Sequence, residues 1–207
     1  LITLLLGFCV AYFLAFYVNS LPLQITLFLI CTIPFWTSNV IRMVSWIPLL
    51  GRNGLVNDTL ITLGIVQEPI EWLLYSSFSV ILALVHLYTL FMIVPIFNSM
   101  LRIDKEVIEA AYDSGANQFQ IIKDVIIPLC KPGIIIGSIF VITVVMGDFL
   151  TIGIMGGQQL ASIGKIINTE MNYLQLPGAA ANSVILLLIT IFIIIVMTKF
   201  IDIRKEL

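Results

Sequence analysis

The chain has 207 residues, of which 60% are hydrophobic and 11% charged, with a formal net charge of −2; its mean hydropathy is +1.11. A soluble domain is about 45–50% apolar and about 25% charged, and a globule of this size cannot hide so much apolar surface. These figures exclude a soluble cytoplasmic enzyme, a disordered chain and a collagen-like fibre, and they leave no basic footprint for nucleic acid.

Five stretches approach the roughly 20 apolar residues that cross a bilayer. They are residues 1–18, 25–46, 76–100, 132–154 and 179–200. The period-2 alternation of outer-membrane strands is absent, so the expected fold class is an all-α membrane protein. The first stretch begins at Leu1, with no basic leader or cleavage site. The expectation is that a tail and a first helix precede it, so that five transmembrane helices are seen of six. The second stretch ends in Thr37, Ser38, Asn39 and Arg42, a polar string that calls for water or protein around that end.

Residues 47–75 carry turn signals at Gly51, Asn53-Gly54 and Pro69. Between them, residues 55–63 have helical apolar spacing and are expected to form a short helix on the membrane surface. Asp58, Glu68 and Glu71 give this loop an acidic balance. In the third stretch, His86 is expected to be a neutral, hydrogen-bonded packing residue, and Pro95 to kink the helix. Cys9, Cys31 and Cys130 have no metal-ligand spacing, and no metal site is expected.

Basic residues set the orientation. Arg102, Lys105, Lys123 and Lys131, together with Lys199, Arg204 and Lys205, make seven of the ten Lys and Arg residues. Both groups are expected in the cytoplasm, and the C-terminus with them. The segment 104–123 is too polar to span. Asp104 suits a helix start and Glu106 its dipole; Val107, Ile108, Ala111 and Tyr112 recur at helical spacing, and Gly115 is a stop. A second helix over 118–127 leads to Pro128. The expected result is a cytoplasmic helix-turn-helix within residues 102–128.

This segment carries a specific pattern. It reads Glu109-Ala110-Ala111, then Gly115 after three residues, then Val125-Ile126-Ile127-Pro128 after nine more. The spacing resembles the "EAA" loop of the inner-membrane permease subunits of ABC importers. Val125 stands for Ile and Ile127 for Leu, both close in volume. The resemblance implies that residues 1–207 are an ABC importer transmembrane domain lacking its first helix, with 102–128 as its coupling loop. It implies that Glu109, Ala110, Ala111 and Gly115 contact ABC ATPase subunits. Further implications are a second, different permease subunit, a periplasmic substrate-binding protein, membrane lipid and a bacterial inner-membrane location. The chain would then be a transport subunit and no enzyme. It would bind no cofactor itself, with ATP and Mg²⁺ on the partner ATPase.

The strings from Pro34 to Arg42 and from Gly54 to Asn57, with Leu63-Gly64-Ile65 and Gly156-Gly157, are similar to those of spermidine and putrescine permeases. This resemblance implies polyamine import by alternating access; another organic ion or a metal chelate remains the alternative solute. An intramembrane enzyme or a passive channel is more remote. His86 is the only histidine, Ser138 lies in no nucleophile motif, and Gly164-Lys165-Ile166 is no phosphate-binding loop.

A polycation needs acids and aromatic faces. Asp148 lies inside the fourth apolar stretch. A carboxylate there costs about 2.5–3.5 kcal/mol on insertion scales, so it calls for a cavity or a partner. Asp148 is the candidate pathway residue; its alternative is a locally capped carboxylate near the outer interface. Trp36, Trp46 and Tyr88 are the candidate cation–π faces, with interface anchoring or helix packing as the alternative.

Overall fold

The computed structural model describes residues 1–157 and 160–199. Arg204, Lys205 and residue 200 lie outside the described residues. Every regular element among the described residues is helical.

Helix α1 (Ile2–Tyr12) runs on as a π turn (Phe13–Tyr17). Helix α2 (Leu21–Thr32) starts with Pro22 in its first turn, where a missing N–H costs nothing, and tightens into a 3₁₀ turn (Ile33–Trp36). Three short helices follow: α3 (Asn39–Val44), α4 (Ile47–Leu50) and α5 (Leu55–Thr62). A 3₁₀ turn (Glu71–Leu73) leads to α6 (Ser77–Met100), which runs through Pro95 as one helix. Helix α7 (Lys105–Asp113) is followed by α8 (Gln118–Gln120), a π segment (Ile121–Ile126) and α9 (Ile127–Leu129). Helices α10 (Lys131–Gly147), α11 (Leu150–Met155), α12 (Ile163–Asn172) and α13 (Leu176–Thr198) complete the order.

Two of the expected spans are broken. The stretch 25–46 does not run straight: Leu21–Trp36 and Asn39–Thr62 meet at 91°. Buried Arg42 holds the bend, donating from Nη2 to the Thr37 carbonyl at 2.9 Å. The stretch 132–154 stops at Gly147 and restarts at Leu150. Among the described residues, Glu71–Met100 and Leu176–Thr198 are long and apolar enough to cross a membrane as single helices. The count rises to four if each bent pair, the second being Gln118–Leu129 with Lys131–Gly147 at 68°, makes one span. Ile2–Tyr17 is apolar but shorter. Hydropathy over a window counts apolar side chains and is blind to a bend, so five stretches do not become five straight helices.

The chain forms two compact units. The first comprises Leu1–Pro34, Tyr88–Ile142 and residues 192–199. Its core is the stripe Met92, Ile93, Ile96, Phe97 and Met100 on α6, spaced three and four apart on one helix face. Glycine lets two helices reach this stripe: a Cβ on Gly7 of α1 or on Gly137 of α10 would lie 2.8 Å from Met92. The turn between α1 and α2 is closed by buried Gln24, whose Nε2 donates to the Leu14 carbonyl at 2.8 Å.

The second unit comprises Phe35–Leu87 and Thr143–Ile191. Asn57, 1% exposed, organises its loop. Its Nδ2 donates to Gly51 O at 3.0 Å and Ile70 O at 3.1 Å, and its Oδ1 accepts the Ile70 N–H at 2.8 Å. The expected short helix is present as α5, and Asn57 lies on it. Fully buried Ser79 accepts the Ser76 N–H at the start of α6 and donates to Met155 O at 2.9 Å.

Candidate functional site

Helix α7 carries the Glu-Ala-Ala triplet and has no buried residue, so it is held as a surface element. Asp104 sits at its N-cap position, but its side chain makes no capping hydrogen bond. Glu106 occupies the first turn, where negative charge suits the helix dipole. The helix ends on Gly115, whose φ is +82°. A Cβ there would meet nothing within 4 Å, so backbone conformation alone selects glycine at this position. The Gly115 and Ala116 N–H groups bond back to Tyr112 O at 2.9 Å and Ala111 O at 3.1 Å. Glu109 and Ala110 are exposed and Ala111 is half-buried. The helix thus offers a carboxylate beside small side chains, a surface on which another backbone can approach closely.

The second arm starts with a capping box that the sequence reading overlooked. Asn117 Oδ1 accepts the Gln120 N–H at 2.9 Å, and Gln120 Oε1 accepts the Asn117 N–H at 2.8 Å. Asn-x-x-Gln was the available signal. The arm does not stop before Pro128; the backbone stays helical from the π segment through that residue to Leu129. The Gln118 amide donates to the Tyr17 hydroxyl at 2.9 Å, tying the arm to the end of the first helix. A cavity of about 410 Å³ lies here, lined among others by Tyr12, Tyr17, Glu109, Tyr112 and Gln118.

In the second unit, Asp148 occupies the break between α10 and α11. Its Oδ1 accepts the Thr151 N–H at 3.0 Å and its Oδ2 accepts the Thr151 hydroxyl, so the carboxylate caps α11. Ser162 donates to Asp148 O at 3.1 Å and accepts the Lys165 N–H, capping α12. Gly164 lies so close to Gly147 that a Cβ would come within 2.5 Å of the Gly147 carbonyl oxygen. The Lys165 ammonium donates to Gly157 O at 2.6 Å and Leu160 O at 2.9 Å. Asp148 itself is half-buried. It is a carboxylate held in one place at the end of a broken helix.

The aromatic candidates fall in different settings. Trp36, at 85% exposure, stands out from the 3₁₀ turn after α2. Tyr88 is buried, with its ring 6.1 Å from that of Phe91. Trp36 and Asp148 belong to the second unit and Tyr88 to the first. Trp46 Nε1 donates to His86 Nδ1 at 3.2 Å, and the rings meet edge-on at 5.6 Å. His86 accepts there, which requires that nitrogen to be unprotonated and agrees with a packing role.

Residues 3–205 match the family described as "Binding-protein-dependent transport system inner membrane component". The chain is 35% identical over 189 residues to the spermidine/putrescine transport system permease protein PotB of Escherichia coli K12, covering 90% of this chain and 67% of that protein. It is 36% identical over 170 residues to the protein of the same name in Haemophilus influenzae, covering 82% and 58%. The inner membrane ABC transporter permease protein YdcU of Escherichia coli K12 is 26% identical over 203 residues, covering 91% and 64%. The chain thus spans about two thirds or less of the length of these relatives. The match extends across both compact units and the surface loop between α7 and α9, and the chain belongs to the family of binding-protein-dependent transport system inner membrane components.

Proposed function

We propose that the chain is a permease subunit of an ATP-driven importer that moves spermidine and putrescine across the bacterial inner membrane by alternating access. The carrying observation is the spacing from Glu109-Ala110-Ala111 through Gly115 to Pro128, on a helix with no buried residue that ends in a left-handed glycine. The polyamine assignment is supported by relatives that bear that name at 35–36% identity. In this reading the C-terminus and the α7–α9 loop face the cytoplasm. The exposed face of α7, with Glu109, Ala110, Ala111 and Gly115, seats on an ABC ATPase subunit that carries ATP and Mg²⁺. A periplasmic binding protein delivers the solute, and a second, different permease completes the passage.

Mechanically, α7 has no buried face of its own to resist displacement. Its second arm is anchored by the Asn117–Gln120 box and by Gln118 on Tyr17, so a push on α7 is passed to the first helix and to α10. ATP-driven closure of the ATPase subunits would supply that push.

The test is binding-protein-dependent uptake of radiolabelled spermidine by vesicles holding the full-length complex. Glu109→Lys reverses the charge presented to the ATPase and is expected to cut uptake more than about tenfold, as for a lost charge-assisted contact. Unchanged uptake would remove Glu109 from coupling. Uptake of neither polyamine by an assembled, ATP-hydrolysing wild-type complex would keep the importer and discard the solute.

Asp148, Trp36 and Tyr88 are proposed to serve the passage. Asp148→Asn keeps an acceptor for the Thr151 N–H, removes the charge and puts an amide donor where an oxygen took the Thr151 hydroxyl, which can turn to accept instead. It is expected to lower spermidine uptake several-fold, with thermal stability of the complex changed by less than about 1 kcal/mol. Normal uptake would leave Asp148 as a helix cap alone.

A further inference from the structure

His86 lies nine residues from Ser77 and 14 from Met100 on α6, and the midpoint of the apolar stretch Glu71–Met100 falls beside it. At helical rise it is about 13 Å or more from either end of the helix, which is deep in a hydrocarbon core of about 30 Å. Val80, Ala83 and Leu87, around it on the helix, are buried and apolar. His86 stands at the edge of that face, and it is exposed. An exposed imidazole at the centre of an apolar helix calls for a polar partner, because hydrocarbon supplies none.

The bond to Trp46 decides what that partner must offer. An indole N–H only donates, so Nδ1 of His86 turns a lone pair toward Trp46 Nε1, 3.2 Å away. With Nδ1 bare the ring is neutral, and its one proton is on Nε2. The second nitrogen is therefore a donor, and its N–H points across the ring, away from the indole. The edge-on contact of the two rings, with centroids 5.6 Å apart, holds the imidazole in this orientation. Trp46 is the hydrogen-bond partner of His86 among the described residues.

We propose that His86 Nε2–H donates to a side-chain oxygen on a membrane helix of the second permease subunit, which makes this turn of α6 part of the interface between the two permeases. The inference rests on the importer reading, which requires that second subunit. Other neighbours have nothing to accept the proton. A protonated polyamine brings N–H donors alone, so the fixed tautomer turns His86 away from solute binding. An acyl chain has no acceptor at this depth, and lipid ester oxygens lie at the rim of the bilayer. The partner is a carboxylate, amide or hydroxyl oxygen brought to mid-membrane by another chain, where hydrogen bonds between side chains join helices that the hydrophobic effect does not.

The test is the release of the second permease from the full-length complex in detergent, followed by size exclusion at rising temperature. The variants differ in which ring nitrogen they imitate. His86→Gln places an amide N–H near Nε2 and gives up Trp46. His86→Asn places an amide oxygen near Nδ1 for Trp46 and falls short of Nε2; His86→Leu does neither. His86→Gln is expected to hold the second permease as the wild type does, and the other two to release it about three- to fifteenfold more readily, as for one interhelical hydrogen bond. A role confined to Trp46 gives the reverse order, with His86→Asn intact and His86→Gln impaired, and that order would overturn the proposal. So would full retention by all three variants, including the case in which uptake alone is lost, which would place His86 on the passage instead. If all three release the second subunit, a photo-crosslinking residue in place of Leu82, one turn away on α6, decides. Product with the second permease supports the contact; product with lipid or within the chain itself overturns it. A wild-type complex that holds no second permease would discard the importer reading first, whereas a second permease that is present but missed by the crosslink removes this contact alone.

Discussion

Gly133→Ala is expected to be among the most damaging single-methyl changes in the first unit. The added Cβ would overlap the Pro95 carbonyl oxygen and the Ser99 hydroxyl. Ser99 can rotate away, but a carbonyl inside a continuous helix cannot, so α10 must retreat from α6. Overpacking of this kind costs about 1–3 kcal/mol, and backbone-to-backbone overlap belongs at the upper end. Gly137→Ala is the matched control on the same helix, one turn further along. Its Cβ would meet Met92 Sδ at 2.8 Å, and a thioether is a flexible group that yields. Heating the detergent-solubilised complex and following the monodisperse fraction by size exclusion reads both. Gly133→Ala should melt well below the wild type and Gly137→Ala close to it. Equal melting of the two variants would mean that α10 and α6 do not approach as described.

Asn57→Ala is expected to undo the loop of the second unit. One buried side chain serves the Gly51 carbonyl and both polar groups of Ile70. Its removal takes a donor from the Gly51 carbonyl, which keeps the Gly54 N–H, and leaves both polar groups of half-buried Ile70 without this partner, at about 1–3 kcal/mol for each group left unsatisfied. Asn57→Asp should not rescue it. The carboxylate keeps the Ile70 N–H bond but sets negative charge against two carbonyl oxygens. The measurement is the rate of proteolytic cleavage between residues 51 and 70, expected to rise by roughly tenfold or more as local opening becomes cheaper. Cleavage at the wild-type rate would mean that the loop is held by its apolar contacts alone.

What the sequence disclosed follows the range of the interactions involved. Helix α7 and its glycine stop were legible, because helical spacing and a left-handed turn are decided within a few residues. The short helix α5 was legible for the same reason. The breaks at Thr37–Ser38 and Gly147–Asp148 were visible only as polar letters. Whether a polar string frays, spans or bends depends on partners: Arg42 reaching back to Thr37, and Asp148 reaching forward to Thr151. The role of Asn57 was not legible, since its second anchor lies 13 residues away. The Gln118–Tyr17 bond, across 101 positions, was beyond any local reading. Asn117-x-x-Gln120 was a local signal that stood unused. Asp148 as a pathway residue was reasoned from the cost of a carboxylate in lipid, and that cost is met in part by a cap within the chain's own next turn.

Helix α13 has a consequence of another kind. It is fastened near its start, where Glu170 accepts from Asn182 Nδ2 with both oxygens, at 3.0 and 2.9 Å, and Ala179 is its one buried residue. Beyond those turns it shows Val184, Ile185, Leu187, Leu188 and Phe192 outward. Its 23 residues make a rod of roughly 34 Å, slightly longer than a hydrocarbon core of about 30 Å. Where such a rod crosses a bilayer, it answers the mismatch by tilting. Bilayer thickness is therefore expected to bear on the tilt of α13, and the lipid composition of the host membrane on this subunit's geometry alongside its sequence.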